Sequence, residues 1–145
     1  MNILGISAGF HDAAATVIND KGDILFAGHS ERYSQNKHDK NLDINLIGDA
    51  LSYVDGPIQL HYYEKPWLKA IRQLRAGQKL GPFSVKQIIG PELCEKLGDP
   101  NIVTHVHHKT HAAAGFQTSP FSDATVVVID AIGEMDCISI WDARY

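Results

Sequence analysis

The chain has 145 residues, a size that fits one domain and lets a fold hide roughly 70% of its unfolded surface. With 44% hydrophobic and 21% charged residues it has ordinary globular usage, which excludes disordered and collagen-like classes. The formal net charge of −4 supplies no global basic field for nucleic acid. From the N-terminus, Asn2–Ser7 reads as a short buried strand, and Gly9-Phe10-His11-Asp12 interrupts it with turn chemistry. Ala13–Asn19 resumes with residues that favour a pleated surface. Asp20-Lys21-Gly22-Asp23 is a hairpin loop in which Gly22 supplies a positive φ, and Ile24–Ser30 is a third strand. The opening is therefore expected to be a three-stranded antiparallel meander.

Glu31–Lys40 is polar and reads as a loop. Leu42-Asp43 caps a helix over Ile44–Val54, where Ile44, Ile47 and Leu51 fall at helical spacing. Ile58–Tyr63 is a fourth strand, parallel to the sheet because it follows a crossover helix. Trp67–Gln78 is amphipathic: Trp67, Leu68, Ile71 and Leu74 form the apolar face, and Lys65, Lys69 and Arg72 a solvated cationic one. Two short helices, Ser84–Ile89 and Pro91–Leu97, flank Gly90-Pro91, and Ile102–Thr104 is a brief strand. His107–Thr118 is a helix. Ala124–Asp130 is a continuous β-branched strand expected to be buried on both faces. A turn at Ile132-Gly133-Glu134 leads to a last strand, Met135–Asp142, with Glu134 and Asp136 at an exposed hairpin tip. The order gives an α/β fold with a mixed sheet and flanking helices, 1–145 as a single domain with a helical insertion at about 64–100.

No apolar run approaches the roughly 18 residues that span a bilayer, and the N-terminus has no signal-peptide pattern. Cys94 and Cys137 are far apart and in no CxxC pattern, which leaves no disulfide scaffold and points to a reducing cytoplasm.

Histidine is the unusual count: four of the eight, His105, His107, His108 and His111, lie within seven positions. On a helix His107 and His111 share a face and can direct imidazole nitrogens at one cation, while His108 cannot join them. The glutamate of the HExxH zincins is absent. Asp130, at the end of the strongest strand, is the best third ligand. Two imidazoles and a carboxylate suit ferrous iron, zinc or another first-row ion. On spacing alone the histidines read first as surface or satisfied core residues; the cluster of four and the placed aspartate bring metal binding level with that reading. The Gly9–Asp12 turn can present backbone N–H groups to an anion, with His11 as donor or proton shuttle. In Glu31–His38, Arg32 offers a guanidinium fork and Lys37 a point charge to an anion such as phosphate.

Taken together, these motifs resemble the carbamoyl-phosphate-dependent O-carbamoyltransferases that act on antibiotics and nodulation factors, which are related to the tRNA threonylcarbamoyl-transferring enzymes. Ile3-Leu4-Gly5-Ile6 with Phe10-His11-Asp12-Ala13-Ala14-Ala15 resembles the family's opening. Ser30-Glu31-Arg32-Tyr33 with Lys37-His38 looks like its "EERF…KKH" stretch. His107–Ala114 followed by Ser119-Pro120-Phe121 looks like "HHxxHAASA…SPF", and Val128–Glu134 like "VIDGxGE". Ala131 stands where the family usually has glycine and Ser30 where an acidic residue is common; Glu64 to Leu97 carries no family signature.

The resemblance implies one lobe of an actin/sugar-kinase/heat-shock-type, ribonuclease H-like fold. It implies a divalent metal, iron before zinc, on His107, His111 and Asp130, with ATP and carbamoyl phosphate as substrates. His11 and Lys37 take catalytic positions by that match, and Asp12, Arg32 and Asp130 fall in the cofactor-binding region. The implied activity moves a carbamoyl group from carbamoyl phosphate, through carbamoyl-adenylate, to a hydroxyl of a small acceptor. Family members run to several hundred residues, so a second lobe is expected in cis or in trans. A homo-oligomer is a further expected association, and nucleic acid and membrane are not expected partners. The rival readings are an ATPase or sugar kinase of the same fold, and a non-catalytic metal-binding fragment or split subunit.

Overall fold

The computed structural model describes all 145 residues, which divide into two compact units: residues 1–62 with 84–103, and residues 63–83 with 104–145. Residues 64–100, read from sequence as a helical insertion, contribute one helix to each unit.

The first unit is built on a mixed five-stranded sheet of order β3-β2-β1-β4-β5, with β1 at Asn2–Ser7, β2 at Ala14–Ile18, β3 at Ile24–His29, β4 at Ile58–Tyr62 and β5 at Asn101–Thr104. β1 pairs antiparallel with β2 in the register Leu4↔Val17 and Ile6↔Ala15, and β2 pairs antiparallel with β3, so the expected meander forms. β4 lies parallel to β1, Leu4 opposite Leu60. Alternation along these strands puts Leu4, Ile6, Ala15, Val17, Leu60 and Tyr62 into the core. The Tyr62 hydroxyl donates to the Ala8 carbonyl at 2.7 Å, which satisfies it in an apolar setting.

Helix α2 (Ile44–Ser52) covers β2 and β3 with Leu46, Ile47 and Ala50. Each of the two larger side chains contributes about 1.5–3 kcal/mol of burial. Asp43 caps the helix as expected, its side chain accepting from the Asn45 and Leu46 amides. Gly28 is required by this packing, because a Cβ there would lie 2.8 Å from Leu46 Cδ1. Buried Ser30 accepts from the Asp43 amide at 3.0 Å, so a small hydroxyl ties the end of β3 to the start of α2. Helix α4 (Val85–Lys96) is two pieces joined at Gly90, whose φ of 82° breaks the helical path just before Pro91. The Glu31–Lys40 stretch is not all loop: Glu31–Ser34 makes one helical turn, α1.

The second unit holds α3 (Pro66–Arg75), α5 (His107–Gln117) and a hairpin of β6 (Asp123–Gly133) and β7 (Asp136–Arg144). Two expectations change here. β6 is not a central strand of the mixed sheet but half of a separate two-stranded ribbon. Its α5-facing side carries Val128, while Val127, Ile129, Ile138 and Ile140 are exposed in cross-strand pairs on the other side. On α3, Ala70 is buried but Trp67 and Leu74 are largely exposed, so the apolar stripe read from spacing is only partly used. No helix is long and apolar enough to cross a membrane.

Candidate metal centre

His107 and His111 open helix α5, one turn apart, and the helical spacing brings both rings to one side with centroids 4.8 Å apart. The two Nε2 atoms face each other at 3.0 Å. Asp130 comes from β6. The regular β6–β7 ladder runs to Ile129↔Ile138 and resumes only at Gly133↔Asp136, so Asp130 is the first residue of an irregular stretch. Its Oδ1 accepts from the Ala131 amide at 2.7 Å. Its Oδ2 turns to the histidines, 3.1 Å from His107 Nε2 and 3.9 Å from His111 Nε2.

These separations decide what the cluster can hold. Ligand bonds of roughly 2.0–2.2 Å at tetrahedral or octahedral angles place neighbouring donor atoms about 2.8–3.6 Å apart. Two of the three donor pairs fall in that range and the third lies just beyond it. Nitrogen donors with one carboxylate favour a first-row transition ion over magnesium or calcium. The His111 side chain is 54% exposed and that of Asp130 30%, so the cluster opens to solvent on one side and leaves coordination positions for water or substrate oxygens.

The surroundings are acidic. Glu64, with only 4% of its side chain exposed, lies with Oε2 at 3.4 Å from His107 Nδ1 and with Oε1 at 2.9 Å from Lys69 Nζ. Glu134 is also buried, accepting from the Lys65 amide; the exposed hairpin tip expected for it does not occur. Lys69 is correspondingly an inward partner rather than part of a solvated face. Burial works to raise the Glu64 carboxyl pKa, but the contacts with His107 and Lys69 outweigh it and hold the group below the usual carboxylate range. Glu64 at Nδ1 raises His107 against its own desolvation, with Asp130 and Glu134 adding to the effect. His111 is lowered, first by desolvation and then by its neighbour His107. The two imidazoles are thus pushed apart, one toward charge and one toward a bare lone pair.

Two neighbours fix the frame. His108 points away from the pair and is buried, with Nδ1 2.8 Å from Ser139 Oγ on β7. Gly133 passes so close to the helix start that a Cβ would meet His107 Cδ2 at 2.6 Å and His108 Cδ2 at 2.7 Å. Thr110 donates to the His107 carbonyl at 2.7 Å, and the Tyr63 ring meets the His107 ring edge-on.

A second cluster lies in the first unit. Asp12, at the β1–β2 turn with φ 48°, places Oδ2 2.7 Å from His11 Nδ1 and Oδ1 3.0 Å from His38 Nδ1. Glu31 accepts from the His38 amide at 3.2 Å. Backbone bonds from Gly9 to Lys40 and from Ala13 to Asp39 join the two loops. The hydrogen bond to His38, and then that to His11, hold the Asp12 carboxyl below its usual value. Of the residues read from sequence, His11 and Asp12 meet here. Arg32 is exposed and reaches only Glu31, at 3.7 Å, and Lys37 is exposed one residue before His38. Sequence reasoning does not pair His38 with Asp12 or Glu31 with the His38 amide, and it gives no sign of Glu64. Adjacency to "Lys37-His38" was a signal for the former; Glu64 had none.

Fold and site together define an α/β protein with a two-histidine, one-carboxylate geometry suited to a transition ion. No protein-family profile matches the chain. It is similar to the uncharacterized protein sll1178 of Synechocystis sp., at 30% identity over 172 aligned positions that take in 99% of this chain. The chain spans 27% of the length of that relative.

Proposed function

We propose that this chain is the N-terminal, metal-binding portion of a carbamoyltransferase, which moves a carbamoyl group from carbamoyl phosphate through carbamoyl-adenylate to a hydroxyl of a small acceptor. The observation that carries the reading is the convergence of His107 Nε2, His111 Nε2 and Asp130 Oδ2, produced by the same two motifs that carry the resemblance. The strand order β3-β2-β1-β4-β5, with β1 parallel to β4 and antiparallel to β2, supports an actin/sugar-kinase/heat-shock-type, ribonuclease H-like lobe.

The chemistry balances in three displacements. Water cleaves carbamoyl phosphate to phosphate and carbamate. A carbamate oxygen attacks the α-phosphorus of ATP and releases pyrophosphate. The acceptor hydroxyl then attacks the carbamoyl carbon, AMP leaves, and the hydroxyl proton passes to a base. A divalent ion, iron before zinc, would neutralise charge on phosphate oxygens. His11 donates toward an anionic leaving group and is oriented for it by Asp12; Lys37 adds a point charge, and Arg32 a fork, to the same kind of anion. Carbamate breaks down in water, so the complete enzyme needs a second lobe to cover the site. The uncovered aliphatic strip of the β6–β7 hairpin supports such a partner, supplied in cis or in trans. The reading places the protein in the cytoplasm.

The test has two arms. Elemental analysis and titration with Fe(II) or Zn(II) should find one ion per chain, and His111→Ala should weaken binding by more than the roughly 100-fold upper range for loss of an outer partner. Pyrophosphate exchange into ATP, dependent on carbamoyl phosphate, should appear only when the chain is joined or mixed with a second lobe. Absence of metal binding overturns the reading, and robust carbamoyl transfer by the 145-residue chain alone overturns the incomplete-lobe part of it. Metal binding with no exchange in any combination would favour the non-catalytic alternative, which the openness of His111 and Asp130 also fits.

A further inference from the structure

We infer that Glu64 is the positioning carboxylate of the metal centre: facing the Nδ1–H of His107, it orients the ring and favours the tautomer whose Nε2 lone pair is offered to the cation. The inference rests on the metal-binding reading and adds a residue that no sequence motif points to.

His107 has two distinct sides. Nε2 faces His111 and Asp130, and Nδ1 faces Glu64. At 3.4 Å, the contact with Glu64 is too long to close a good hydrogen bond, and no other group takes the buried Nδ1. Nε2 is also 3.1 Å from Asp130 Oδ2, so without an ion both ring nitrogens face carboxylates; once a cation takes the Nε2 lone pair, the remaining proton sits on Nδ1 and meets Glu64. A neutral imidazole donating its other N–H to a carboxylate is the arrangement by which metal-ligating histidines are oriented and made more basic.

Glu64 is itself held before any ion arrives. It stands between β4 and α3, and Lys69, five residues on, reaches back to it from α3. A carboxylate with 4% of its side chain exposed needs such compensation. Lys69 also divides the carboxylate by role, Oε1 going to the ammonium and Oε2 to the imidazole. Glu64 faces Nδ1 and lies outside the group formed by His107, His111 and Asp130, so its influence passes through the His107 ring.

The full-length chain is titrated with Zn(II) or Fe(II) alone, against a chromogenic chelator, as wild type, Glu64→Gln and Glu64→Asp, with His111→Ala as the ligand-loss control. Glu64→Gln is expected to bind about 10–100-fold more weakly, and Glu64→Asp to recover part of the loss. Long-range 15N–1H spectra of the Zn(II)-loaded wild type should show His107 coordinated through Nε2 with its proton kept on Nδ1, and that proton's shift should move in Glu64→Gln, a readout that a merely structural glutamate would not set. A wild type that loads metal while Glu64→Gln binds within about twofold of it overturns the positioning role alone, as does coordination of His107 through Nδ1. A wild type that takes up no metal overturns both this inference and the function it rests on.

Discussion

Asp12 shows how much one carboxylate can be asked to organise: each of its oxygens accepts from a different imidazole, one on its own turn and one on the loop after α1. Protonating it breaks both contacts, so its folded pKa lies below the unfolded one. The sign follows. The stabilisation is complete above the ordinary carboxylate range and is lost as pH falls through the depressed folded value. Carbon-detected NMR titration should place Asp12 below the ordinary aspartate value, and His38→Ala should move it upward more than His11→Ala, because the His38 contact is the larger cause. At this scale the sequence is a good guide to placement wherever placement follows from spacing. The i, i+4 rule named His107 and His111, and the end of the β-branched run named Asp130. Glu64 was illegible for a physical reason: 43 positions separate it from His107 in the chain, and only the fold sets the two face to face.

Helix α5 and strand β6 meet without room for a side chain at Gly133. Gly133→Ala would drive a methyl into two imidazole rings, one facing His111 and Asp130 and one bonded to Ser139. Rigid rings cannot yield as a flexible chain end can. The expected cost is about 1–3 kcal/mol in denaturant unfolding, accompanied by weaker metal binding, while an unchanged affinity would show that the rings can shift. The β elements of the first unit were read nearly to their ends, since turn residues and alternation fix them. The strand at Ala124–Asp130 was located, but its burial was not. A run of Val and Ile looks alike in a central strand and in a ribbon with one face uncovered, because periodicity reports neither neighbour nor sheet. For the same reason the spacing on α3 did not reveal that Trp67 and Leu74 stay exposed.

For the molecule as a whole, the division into two units means that the His107–His111–Asp130 cluster and the mixed sheet belong to different parts of the chain. Three carboxylates, from Glu64, Asp130 and Glu134, act on His107, with Lys69 as the paired cation, so the metal-free site is short of positive charge. An ion that binds the folded chain and not the unfolded one adds about 2.7 kcal/mol at a hundredfold excess over its dissociation constant. The melting temperature should therefore climb with added Fe(II) or Zn(II) and return with chelator, and His111→Ala should flatten that response. An isolated two-stranded ribbon is marginal in water. The β6–β7 hairpin depends on α5 for the single face it covers, and an ion between Asp130 and the two histidines would clamp helix to ribbon. Deuterium uptake should then slow on metal addition across 107–117 and 123–133 while the amides of β1–β3 keep their own pace, so the same titration that reports affinity also maps which segment breathes.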